Sequence, residues 1–181
     1  KLLEELSLRG FDDIRILTRN KLKTKANIPF PVDIREWDPS KGTIDPETLT
    51  DIDIVFHLAG ENVGDGRWSE ERKKKIHDSR TNSTNLLLSE IAKEQSKPKK
   101  FISASAVGIY GNTKDIEITE QSGLADDFLA QVCKDWEENL KNANVEGMKT
   151  HVLRTGVVLA KHGGALSKML PPFKLGAGGR L

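Results

Sequence analysis

The chain has 181 residues, 36% hydrophobic and 30% charged, enough for one domain with a buried core and too apolar for a disordered polymer. Its 28 Lys and Arg against 27 Asp and Glu leave a net charge of +1, which excludes any global attraction to nucleic acid or to an anionic membrane surface. The single cysteine, Cys133, excludes an intrachain disulfide and fits a reducing, cytoplasmic setting; no run is long enough to span a bilayer and no signal-peptide pattern is visible.

Residues 1–9 read as the end of an amphipathic helix, with Leu2, Leu3 and Leu6 as its stripe and Gly10 as its cap. Residues 14–18 read as a strand, 20–32 as a polar, proline-bearing loop, and 34–37 as a short strand before the turn signal Asp38-Pro39-Ser40-Lys41-Gly42. Asp45-Pro46-Glu47 should open a short helix. Residues 53–58 form a nearly continuous apolar run ending in Ala59-Gly60, the pattern of a strand buried on both faces of a parallel sheet. After a loop over 64–68, Ser69 heads a long helix to about residue 96, with Ile76, Leu86, Leu87 and Ile91 on its buried face and Pro98 beyond its end. The run Arg72-Lys73-Lys74-Lys75 on it reads as a solvated face. Residues 100–105 give another strand, 126–142 a helix and 149–154 a further strand. An irregular exit over 156–159 and a short helix within 163–173 follow. This alternation predicts a doubly wound parallel α/β sheet of Rossmann type, with helices on both faces.

Ligands of such sheets bind beyond the carboxyl ends of the strands. Arg19 follows the first strand, where an NAD site usually offers an acid to the ribose; a cation there suits the 2′-phosphate of NADP, the alternative being an ordinary surface arginine. Asp38 either faces an adenine amino group or caps its own turn. Leu58, Ala59 and Gly60 would let a cofactor approach the backbone, as they would also serve a tight turn. Ser103, Ser105 and Tyr110 end the serine strand and its loop, where hydroxyls can meet a substrate carbonyl or cofactor. His57, His77, His151 and His162 lack metal-ligand spacing, so no metal site is expected.

Together, His57-Leu58-Ala59-Gly60, the run from Ile102 to Gly111 and Leu153-Arg154-Thr155-Gly156-Val157-Val158-Leu159 resemble the extended short-chain dehydrogenase/reductase superfamily. Ala59-Gly60-Glu61-Asn62, Arg67-Trp68, Ser79-Arg80, Asp135-Trp136-Glu137 and Gly163-Gly164-Ala165-Leu166 resemble its atypical NAD(P)-dependent epimerase/dehydratase-like branch, the sugar-nucleotide epimerase-like proteins. The resemblance covers essentially the whole chain. It implies truncation at both ends: a strand and a glycine-rich turn before Lys1, and a longer substrate region after Gly178-Gly179-Arg180. Residues 1–160 would then be the NAD(P)-binding domain and 161–181 the start of an incomplete substrate-binding region. It implies NADP as cofactor, a small-molecule substrate such as a sugar nucleotide, and a homodimer through the helices over 69–96 and 126–142. It also adds Arg80 and Arg154 to the cofactor-binding set, Arg80 having a surface salt bridge as its alternative.

One departure bears on activity. Typical extended members carry Tyr-x-x-x-Lys on the helix that here reads Phe128-Leu129-Ala130-Gln131-Val132-Cys133-Lys134-Asp135-Trp136-Glu137; setting Glu137 at the family's downstream glutamate puts Leu129 and Cys133 at the two positions, a shift by one puts Ala130 and Lys134 there, and neither register supplies a tyrosine. Tyr110, the sole tyrosine, is then the available proton donor, with Ser105 orienting the substrate. Cys133 reads as a small buried hydrophobe. The expectation is an NADP-binding epimerase or reductase; the alternative is an NADP-binding regulatory or scaffold protein without catalysis.

Overall fold

The structure is a computed structural model that describes residues 1–143, 145–160 and 164–176. Along them run α1 (Leu2–Leu8), β1 (Arg15–Thr18), α2 (Lys21–Asn27), β2 (Asp33–Asp38), β3 (Thr43–Ile44), β4 (Ile54–His57), α3 (Glu70–Lys93), β5 (Lys100–Ala106), a 3-10 turn (Val107–Tyr110), α4 (Phe128–Asn142), β6 (Lys149–Thr155), β7 (Leu159–Ala160) and α5 (Gly164–Lys174). β1 pairs in parallel with β2, which takes β3 antiparallel. β4, β5 and β6 form a parallel sheet in that order, with His57 opposite Ser103 and Ser105 opposite Arg154. Parallel strands joined through helices make this a Rossmann-type α/β fold. The strands fall into two three-stranded groups, and β1 and β4 both line a cleft of about 740 Å³ with Leu3 and Leu6 of α1.

Local chemistry explains the helices. Ser69 accepts a hydrogen bond from the Arg72 N–H at 3.2 Å, and Glu70 and Glu71 occupy the electropositive first turn of α3. Asp127 caps α4 through the Ala130 N–H at 3.0 Å. Both helices pack on the same face of the β4–β6 sheet, where Val55, Phe101, Leu87, Leu88, Ile91 and Leu140 share a core with Trp37 and Leu49. β4 was expected to be buried on both faces, but it alternates. Val55 and His57 lie beneath α3, whereas Ile54 and Phe56 are each 39% exposed.

Three further expectations change. Residues 20–32 were read as loop, yet they hold α2, capped by the Asn20 side chain accepting from the Lys23 N–H at 2.9 Å. Leu22 on this helix is 84% exposed, so no apolar stripe announced it. The helix expected at Asp45-Pro46-Glu47 is a turn: Arg15 Nη1 donates to the carbonyls of Glu47, Thr48 and Thr50 at 2.9, 2.8 and 3.1 Å, taking acceptors a helix would use. In the basic run, Lys73, Lys74 and Lys75 pair with Glu70, Asp78 and Glu71 along α3, but Arg72 turns inward to Glu61. Gly163, His162 and Gly178-Gly179-Arg180 lie outside the described residues.

His57 is the polar centre of this core. Its Nε2 lies 3.1 Å from both Thr84 Oγ1 and Ser83 Oγ, and Trp37, Phe101 and Trp136 meet the ring edge-on. Burial lowers its pKa from 6.5 to about 4, so the folded protein keeps it neutral while the unfolded chain takes the proton. Its contribution to stability is complete above pH 6.5 and is lost as the pH falls towards 4, about 3 kcal/mol over that window. Denaturant titrations from pH 7 to 4 should show this slope, and His57→Gln should flatten it; an unchanged slope in the variant would contradict the assignment.

Candidate functional site

The carboxyl ends of β1 and β2 bring Arg19 and Asp38 to one edge, because the strands pair with Thr18 opposite Glu36. Arg19 is exposed and makes no ion pair among the described residues. Asp38 caps its own turn, accepting from the Ser40 hydroxyl at 2.6 Å and the Ser40 N–H at 3.1 Å. The Ser40 hydroxyl and N–H, with Lys41 beyond, hold its carboxyl below the usual range.

Beyond β4 the chain passes through Leu58, Ala59 and Gly60 and is then clamped to α3. The Glu61 N–H donates to Ser79 Oγ at 2.9 Å, and the Glu61 carbonyl accepts from Arg80 Nη2 at 3.1 Å. The Glu61 carboxylate takes Arg72 Nη1 at 2.6 Å, and Arg72 also reaches the Asn62 carbonyl. Gly60 lies against Arg80: a Cβ added there would stand 3.1 Å from Arg80 Cζ. Beyond Leu58, the small residues Ala59 and Gly60 thus leave the backbone bare and the arginine close beneath it.

Beyond β5 the sequence-identified hydroxyls enter a buried network. Pleating places Phe101, Ser103 and Ser105 on the face beneath α3 and α4. Ser103 Oγ donates to the Ala104 carbonyl at 3.1 Å. Ser105 Oγ donates to Glu137 Oε1 at 2.6 Å; Arg154 grips the same carboxylate through Nε at 2.9 Å and Nη2 at 2.7 Å. Arg154 Nη1 donates to the Tyr110 hydroxyl at 2.6 Å. Burial alone would raise the Glu137 carboxyl, but Arg154 and Ser105 overrule it and hold it below the ordinary value; Glu137 in turn raises Arg154, which stays charged. Tyr110 is followed by Gly111, whose φ of +66° suits glycine and where a Cβ would meet Ala125 Cβ at 2.6 Å. Tyr110, Arg154, Thr119, Glu120 and Lys141 line a cavity of about 720 Å³. Burial raises the Cys133 thiol, which suits a core residue.

The fold therefore gathers Ser105, Tyr110 and Arg154 in one network. Leu58, Ala59, Gly60 and Arg80 form a second locus, and Arg19 and Asp38 a third on the neighbouring sheet. Glu137, the hub of the network, was read in the sequence only as an alignment marker. The signal for it was an acid set in the buried stripe of Cys133, Trp136 and Leu140. Among the described residues no group of three or more His, Cys, Asp or Glu could hold a metal ion.

Comparisons with known proteins agree with this architecture. The NAD dependent epimerase/dehydratase family model matches residues 1–128. An epimerase family protein of Mycobacterium bovis is 39% identical over 168 residues, covering 93% of this chain and 55% of that protein. The human epimerase family protein SDR39U1, crystallised with NADPH, superposes with a TM-score of 0.80 at 30% identity, over 98% of this chain and 56% of that one. A nucleoside-diphosphate sugar epimerase from Corynebacterium glutamicum superposes with a TM-score of 0.67 at 30% identity, over 99% of this chain and 42% of that one. The chain spans about half the length of the curated relatives it matches.

Removing Arg154 would leave a buried carboxylate without its cation. Arg154→Ala should destabilise the protein at neutral pH by about 3–5 kcal/mol, read as a shift in the urea midpoint. Because the folded Glu137 carboxyl lies below its ordinary 4.5, the contribution of the pair is present above that pH and fades as the pH falls beneath it. A penalty independent of pH down to 3 would contradict the pairing.

Proposed function

Because the chain belongs to the NAD dependent epimerase/dehydratase family, we propose that it binds NADP(H) across the carboxyl ends of its strands and works on a small substrate, a sugar nucleotide being the class favoured. The carrying observation is Arg19: an exposed guanidinium at the end of β1, without an ion pair among the described residues, where an acid would favour NAD. The NADPH bound to human SDR39U1 supports the same cofactor. The residues fit a dinucleotide. Arg19 would take the 2′-phosphate, Asp38 and its turn would border the adenine, and the backbone of Ala59 and Gly60, beside Leu58, would admit the ligand closely. Ser103 sits beside His57 at the end of the next strand.

The pyrophosphate calls for a glycine-rich turn before a helix, as in other dinucleotide folds. The cleft lined by β1 and β4 has the place for it: two strands whose outer edges are unpaired among the described residues, and the apolar side of α1, border one space. We assign that space to a further parallel strand of the same protein leading into such a turn, which would also satisfy the open backbone groups.

Nicotinamide, when bound, supplies hydride exchange with a substrate carbon. Tyr110 is the residue of this chain suited to move the accompanying proton. Its oxygen accepts from Arg154, which leaves its own O–H to donate into the 720 Å³ cavity it lines. Ser105 acts through Glu137, since its hydroxyl is already committed. That commitment also favours the second reading, a cofactor-binding regulatory or scaffold protein without turnover.

Fluorescence titration of the full-length protein should give tighter binding of NADPH than of NADH. Arg19→Ala should weaken NADPH by about ten- to a hundredfold, the loss of a charge-assisted contact, and NADH by less than about threefold. Equal affinities in the unmutated protein would remove the Arg19 argument. In a screen of sugar nucleotides and simple carbonyls, Tyr110→Phe should abolish any turnover found; retained turnover would end its role as proton carrier.

A further inference from the structure

Charge pairing among the half-buried arginines has one exception. Arg15 and Arg35 meet Asp33, Arg72 meets Glu61, and Arg154 meets Glu137. Arg80, equally half-buried, meets no carboxylate among the described residues. Its direct contacts are neutral: the carbonyls of Ile76 at 2.8 Å and Glu61 at 3.1 Å, the Ser79 hydroxyl at 3.4 Å, and the ring of Trp136, with Cζ 5.3 Å from its centroid; the Glu61 carboxylate acts on it from beyond ion-pair distance and is itself taken by Arg72. These hydrogen bonds use three of its five N–H groups. Burial works against its charge, and carbonyl dipoles with one aromatic face compensate less than a carboxylate would. A salt bridge, the ordinary expectation for a helix arginine, is absent among the described residues.

Its position says which anion it awaits. Arg80 reaches from α3 to lie against Gly60, at the carboxyl end of β4, and stacks on Trp136 of α4. That places it over the β4–β6 sheet. Arg19 and Asp38 lie over the β1–β3 sheet, where the adenosine half of a dinucleotide would rest. A doubly wound fold binds one mononucleotide over each half, so the half that Arg80 faces is the nicotinamide one.

Resting on the dinucleotide reading above, we propose that Arg80 binds the nicotinamide mononucleotide half of the cofactor, its unpaired guanidinium donating to the phosphate and ribose oxygens that pass over Gly60. The clamp on Glu61 gives the contact its rigidity. Ser79 and Arg80, adjacent on α3, hold the N–H and the C=O of one peptide, so the guanidinium and the Gly60 backbone keep a fixed spacing.

The test separates the two halves of the ligand with NADPH and with adenosine 2′,5′-bisphosphate, which carries the 2′-phosphate and lacks the nicotinamide half. With full-length protein, Arg80→Gln should weaken NADPH about ten- to a hundredfold, as for a lost charge-assisted hydrogen bond, and leave the bisphosphate within about threefold. Retained bisphosphate affinity also shows that the variant is folded. In the unmutated protein, NADPH but not the bisphosphate should shield Arg80 from phenylglyoxal, read by peptide mass spectrometry; this arm decides the matter if the variant does not fold. Equal weakening of both ligands by a folded variant, or equal shielding by both, would overturn the assignment. Binding of neither ligand by the unmutated protein would instead overturn the dinucleotide reading on which it rests.

Discussion

The Glu137 carboxylate holds the β4–β6 half of the molecule in register. It lies on α4, it takes two hydrogen bonds from Arg154 of β6 and one from Ser105 of β5, and Arg154 goes on to Tyr110 in the turn after β5. Four elements thus share one buried charge. Desolvation would make that charge costly, and the bidentate guanidinium offsets it only because strand pairing sets Arg154 opposite Ser105. Secondary structure fixes the network, and the network in turn fixes where the tyrosine hydroxyl points.

A parallel arrangement governs the loop after β4. Here α3 rather than α4 provides the hold: Arg72, Ser79 and Arg80 take the carboxylate, N–H and C=O of Glu61. The chain at Gly60-Glu61 is thereby held by α3, with Ala59 and Gly60 as the small residues of the strand end. His57, at the end of the same strand, is kept neutral by the aromatic rings around it and belongs to the core.

Much of this was legible in the sequence where the cause is local. Ser69 announces its helix because a cap needs only the next three residues. The apolar runs of β4 and β5 announce strands, and strand ends point to Arg19 and to Leu58-Ala59-Gly60. Causes distant along the chain were not legible. Arg15 converts an expected helix at 45–47 into a turn from more than thirty residues away. Arg154 finds Glu137 across 17 positions. Ser105 was picked out as a strand-end hydroxyl, but the pleat decides which face it joins, and that face belongs to Glu137. α2 stayed hidden because its leucine faces solvent, leaving only an asparagine cap to mark it.

The cofactor preference proposed for Arg19, at the end of β1, can be read directly. Native mass spectrometry of full-length protein, mixed with equal amounts of NADPH and NADH, addresses it in one spectrum. A single dominant adduct with the mass of NADPH is the predicted result. An NADH adduct of equal or greater abundance, or the absence of any adduct, would contradict it.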